Sequence, residues 1–112
     1  MTRGEVWLAE AGRKARPVLV LTRPEVIDVR HLVTVAEITT SVRGHAAEVE
    51  LDHAAVGLDR PSVINCDGLH TVAQPSLTTY VGEISSDTMR EVCSAVNHSL
   101  GCSQLARPTI RT

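Results

Sequence analysis

Phenylalanine is absent from this 112-residue chain, and Trp7 and Tyr80 alone make up its 2% of aromatic residues. The core must therefore be built from Val, Leu, Ile and Ala. The stacking platforms on which many single-strand binders lay their bases are nearly missing. Lys14 is the only lysine among eleven cations, and the others are arginine, which suits bidentate contacts with phosphate. Strong charge of one sign is lacking as well. A net charge of −2 argues against a protein that coats nucleic acid through bulk charge, and leaves room for a local basic groove.

No apolar run approaches the roughly 18 residues of a membrane-spanning helix, and Met1 to Glu5 shows no signal-peptide pattern. A soluble, cytoplasmic protein with no membrane partner is expected. Cys66, Cys93 and Cys102 are odd in number and form no C-x-x-C pair, which fits a reducing compartment better than a disulfide framework or a zinc site. The five histidines contain no H-x₃-H or H-E-x-x-H pattern. No Ser, His and Asp spacing suggests a hydrolase triad, and no glycine-rich loop is set to cradle a phosphate. Neither a metal nor another cofactor is expected.

What is present is an ordinary globular composition, 43% hydrophobic and 21% charged, long enough for one domain with a real core and too short for two. Its organising stretch runs from Arg16 to Thr22. Val18 to Leu21 is unbroken by a polar residue, the pattern of a strand buried on both faces. Pro17 is placed at the first position of that strand, where a missing N–H is tolerated. Gly4 to Ala9 reads as an opening strand, joined to it by a basic turn at Ala11 to Lys14. His31 to Ile38 and Glu48 to Leu51 follow as strands, the latter with one wet face, and Asp52 to Pro61 as a connection.

Ser62 to Asn65 and Leu69 to Val72 read as two short strands about a bend at Cys66, Asp67 and Gly68, and Thr79 to Ile84 as the last strand. From Ser86 the period becomes helical, with Met89, Val92, Cys93, Val96 and Leu100 on one stripe. Ser86 or a Thr88–Glu91 capping box would start that helix and Gly101 would stop it. Seven strands and a closing helix predict a mainly β domain over residues 1–102, a small twisted antiparallel sheet or half-open barrel with the helix packed on it. Residues 103–112 read as a flexible tail.

Two clusters carry chemistry. Arg13, Lys14 and Arg16 crowd the root of the central strand, where Arg16 is anchored well enough to hold a phosphate and stabilise charge building on it. A solvated loop with ordinary surface cations has the same composition. Thr39, Thr40 and Ser41 leave the third strand with three hydroxyls able to donate to phosphate oxygens, or simply to satisfy a turn. Arg43, followed by Gly44, adds a further cation on the next loop.

In order along the chain these pieces resemble the MazF/PemK family of toxin endoribonucleases, and mycobacterial-type members in particular. The resemblance rests on Arg3 to Trp7, Arg16 to Leu21, Ala36 to Ser41, Ser62 to Asn65, Leu69 to Val72, Val81 to Ile84 and the closing helix. It implies an SH3-like barrel with a C-terminal helix, a homodimer, and an RNA groove across the dimer. It implies that Arg16 and Thr39 act in metal-independent, sequence-specific cleavage of single-stranded RNA, leaving 2′,3′-cyclic phosphate and 5′-hydroxyl ends. Messenger RNA is the expected substrate class, with ribosomal and transfer RNA also open. Arg13, Lys14, Thr40, Ser41, Arg43 and Asp67 are the residues expected to bind the substrate.

The general base stays unassigned at this stage, with Glu10 a candidate because some relatives carry a loop glutamate upstream of the arginine. Where relatives often read acid-Gln-hydrophobic-basic-Ser/Thr, this chain has Asp67 to Thr71 with Gly68 in the glutamine's place. Asp67 can still contact a base edge, but Gly68 has no amide to offer. The implied protein partner is a small MazE-like antitoxin whose acidic segment folds into the RNA groove. The alternative is a non-catalytic, CcdB-like toxin on the same fold that binds DNA gyrase, a role for which the Arg16 and Thr39 pair is not needed.

Overall fold

The aliphatic run Val18 to Val20 occupies an inner strand and is covered on both faces, as its unbroken hydrophobicity requires. The computed structural model describes residues 1–11 and 14–102, so the expected tail at 103–112 lies outside the described residues. Among the described residues six strands are formed: β1 (Glu5–Ala11), β2 (Lys14–Val20), β3 (Leu32–Thr39), β4 (Glu48–Glu50), β5 (Val63–Ala73) and β6 (Leu77–Glu83). The described residues also form three α-helices, α1 (Pro24–Ile27), α2 (His53–Val56) and, after the last strand, α3 (Ser86–Leu100), with a short 3-10 turn at Gln74–Ser76 between β5 and β6. The strands make one antiparallel sheet in the order β4-β5-β3-β2-β1-β6. This is the mainly β, half-open architecture with a C-terminal helix that the sequence predicts.

Leu19 points into a larger core with Val6, Ala36, Ile38, Ile64 and Val92, the last contributed by α3. Val18 and Val20 point the other way, into a smaller core with Val33, Val35, Leu77 and Ile27 of α1. One strand thus nails two layers together. Trp7 and Tyr80 face each other across β1 and β6 with ring centroids 5.8 Å apart, edge to face, so both aromatics are committed to one cross-strand contact. Because the strand order is linear, β4 and β6 are the sheet's edges. Gly82 of β6 lies so close to α2 that a Cβ there would stand 2.0 Å from the Val56 carbonyl oxygen.

Four expectations need correction. Pro17 sits in the middle of β2, opposite Leu8 of β1, and not at its start. It is tolerated there because β3 pairs only with Val18 to Val20, so Lys14 to Pro17 is an arm hydrogen-bonded on one side. The two short strands about Cys66 to Gly68 are one strand, β5, which brings the count to six. Its ladder with β3 jumps from Ala36↔Leu69 to Glu37↔Asn65, and the expected bend is a bulge in that ladder. The cap of α3 is Ser85, whose Oγ accepts from the Thr88 N–H at 3.1 Å, one residue before the expected start. On α3, Val92 and Ala95 are buried and Met89 and Val96 pack against the core, while Cys93 and Leu100 are exposed. Gly101 ends α3 in the left-handed region at φ +69°, as expected of a C-terminal glycine.

Candidate active site

Strand alternation decides where the suspected residues point. On β3, Val33 and Val35 enter the smaller core while Ala36 and Ile38 enter the larger one, so Glu37 and Thr39 extend the face of Val33 and Val35. On β2, Val18 and Val20 belong to the smaller core, and Arg16 extends the same face two residues earlier. The ladder pairs Val20 with Val35 and Val18 with Glu37. The ladder ends there, and beyond it Arg16 and Thr39, each two residues further along its own strand, line one groove. From β5, Val72 opposite Val33 and His70 opposite Val35 add two more side chains to this face. The smaller core therefore ends in a polar rim.

That rim encloses a groove of about 500 Å³, floored by Ala9, Val18, Val35 and Val72 and walled by Glu10, Arg16, Glu37, Thr39 and His70. Arg16 and Thr39 also border an adjoining cavity of about 430 Å³, which adds Lys14, Thr40 and Arg60. The two residues stand where the depressions meet. Arg16 is exposed, and among the described residues no carboxylate forms an ion pair with it. Thr39 is half-buried, and its Oγ1 accepts the Ser41 N–H at 3.0 Å. This contact orients the hydroxyl and leaves its proton free to donate.

Across the groove, His70 Nε2 and Glu37 Oε2 form a direct hydrogen-bonded pair. The bulge makes room for it: a Cβ on Gly68 would lie 3.0 Å from Glu37 Cδ and 3.1 Å from Asn65 Nδ2. Reading the sequence missed this pair. The period of β3 puts Glu37 on the face of Thr39, but His70 reaches that face only through a pairing 33 residues away in the chain. Glu10, held only as a possible base, does line the groove.

The remaining expected residues lie around this centre. Arg13 falls outside the described residues. Ser41 and Arg43 continue from Thr39 into the exposed loop before β4. That loop is tied down by Glu48, whose carboxylate accepts the N–H groups of Arg43 at 3.1 Å and Gly44 at 2.8 Å. Desolvation pushes the Glu48 pKa up, but the backbone donors of Arg43, Gly44 and His45 push it down further, below the ordinary 4.5. Asp67 is exposed in the bulge, accepts from Ser99 Oγ of α3, and lines neither cavity. Among the described residues, no group of three or more His, Cys, Asp and Glu side chains is placed to hold a metal ion. A guanidinium, a hydroxyl and an imidazole–carboxylate pair around an apolar floor can grip a phosphodiester and move a proton beside it.

The family model for the PemK-like, MazF-like toxin of type II toxin–antitoxin systems matches residues 2–100. The chain is similar to the probable endoribonuclease MazF5 of Mycobacterium tuberculosis, at 37% identity over 105 residues that cover 91% of this chain and 94% of that one. Among solved structures it resembles the Mycobacterium tuberculosis toxin MazF-mt6, with a TM-score of 0.81 and 37% identity over 87% of this chain and 96% of the other. It also resembles a MazE–MazF structure from Deinococcus radiodurans, with a TM-score of 0.76 and 27% identity over 90% and 95% of the two chains.

Proposed function

The chain belongs to the PemK-like, MazF-like family of type II toxins, and we propose that it is an endoribonuclease that cuts single-stranded RNA without a metal ion. The observation that carries this reading is that Arg16 and Thr39 line the same two adjoining cavities. RNA brings its own nucleophile in the 2′-hydroxyl, so the protein has to align it, move protons and stabilise the crowded phosphorane. Arg16 neutralises the charge on that phosphorane. Thr39 donates its hydroxyl proton to a non-bridging oxygen. Lys14 and Thr40 hold the strand on one side of the cut, and Arg13, Ser41, Arg43 and Asp67 contact flanking nucleotides. The products are a 2′,3′-cyclic phosphate and a 5′-hydroxyl, and growth stops because translation does.

Its partners on this reading are the RNA, an acidic MazE-like antitoxin whose carboxylates take the places of phosphates near Arg16, and a second copy of the chain. The copy is assigned to the apolar groove between α3 and the sheet, lined by Leu21, Val26, Met89, Val96 and the exposed Leu100. Among the described residues no helix is long and apolar enough to cross a membrane, and all three cysteines are free, in keeping with a cytoplasmic toxin.

The test is cleavage of a mixed RNA pool by the purified protein in EDTA, with the new ends mapped. Discrete cuts with 5′-hydroxyl ends are expected. Intact RNA, with inhibited DNA supercoiling instead, would overturn the reading in favour of a gyrase binder.

A further inference from the structure

We propose that His70 is the general base of the cut and Glu37 its positioning residue. The proposal rests on the ribonuclease reading and fills the role that reading leaves empty. A guanidinium stays protonated and only donates, so Arg16 cannot accept the 2′-hydroxyl proton. Imidazole is the side chain suited to exchanging a proton near neutral pH. His70 lies on the same face as Arg16 and Thr39 and walls the same groove. Its backbone is opposite Val35, yet its ring reaches Glu37, two residues along β3 toward Thr39. The carboxylate thus draws the imidazole along the groove toward the pair that holds the phosphate.

The hydrogen bond also sets the tautomer. With Nε2–H donated to the Glu37 carboxylate, Nδ1 carries the lone pair. In the step, Nδ1 takes the proton of the 2′-hydroxyl while the 2′-oxygen bonds to phosphorus. The bond from phosphorus to the 5′-oxygen breaks, that oxygen leaves with a proton from solvent, and the imidazolium returns its proton to solvent. The charged groups that share the groove with His70 are Glu37 from β3, Arg16 from β2 and Glu10 from β1. Glu37 is the one in direct contact.

The test compares parent, His70→Gln, His70→Gly, Glu37→Gln and Glu37→Asp in metal-free cleavage across pH. His70→Gln should lower the rate at saturating RNA by ~10²- to 10⁴-fold with KM little changed. It should also abolish the rise of rate with pH that marks deprotonation of the base. Added imidazole should restore part of the rate of His70→Gly. Glu37→Gln should lower the rate at saturating RNA with KM little changed, and Glu37→Asp should restore part of it, as expected of a group that positions the base. A His70→Gln protein that cuts at the parent rate with the parent's pH profile overturns the assignment and leaves the ribonuclease reading standing. So does a slow His70→Gln whose pH limb is unmoved together with a His70→Gly that imidazole does not restore. A parent that leaves RNA whole overturns both.

Discussion

Glu48 lies outside the groove and still shapes the loop that leaves Thr39. Its carboxylate gathers the backbone donors of Arg43 and Gly44, and these hold its pKa below the ordinary 4.5 against the opposing pull of desolvation. A depressed carboxyl pKa means that the loop's order is fully present above the unfolded value and is lost as pH falls through the folded one. The amide proton shifts of Arg43 and Gly44 should therefore titrate together with a midpoint under 4.5 and lie flat at neutral pH. In Glu48→Gln the titration should vanish, and its persistence would assign the loop's order to another group. Cys66 shows the opposite shift: burial first, then the nearby Asp67 and Cys93, raises its thiol to about 11, so it packs as an apolar residue at neutral pH. At this scale Arg16 was legible because it roots an unmistakable strand. Glu37 and His70 were not, because each is an ordinary polar residue until a distant register brings the two together.

Among the elements, those set by local pattern were readable. The unbroken aliphatic run gave β2, and the helical stripe with Gly101 behind it gave α3. What depends on partners was not. Asp67-Gly68 has the composition of a turn, and only the ladder with β3 turns it into a bulge within β5. The single turn of α2 shows little period of its own, although Asp52 caps it by accepting from the Ala55 N–H. The contact of α2 with β6 is steric. A methyl group on Gly82 would meet the Val56 carbonyl oxygen at 2.0 Å, and backbone cannot yield as a side-chain tip can. Gly82→Ala should therefore lower stability by about 1–3 kcal/mol, read as a fall in the urea midpoint. An unchanged midpoint would mean that α2 is free to lift away at no cost.

The whole molecule is a sheet with two unequal faces. One is covered by α3 and the larger core, and the other is only partly filled, so that its apolar floor runs out into Arg16, Thr39, Glu37 and His70. The fold thus leaves open the face on which these groups converge, and β2 fixes the position of Arg16 because that strand is locked into both cores. The most direct test is single-turnover RNA cleavage by Arg16→Ala, Thr39→Val and the double variant, each checked for folding by circular dichroism. Each single change should slow the cut by ~10²-fold or more. The double variant should lose less than the product of the two, because both groups act on one phosphate. A folded Arg16→Ala protein that cuts as fast as the parent would contradict the account.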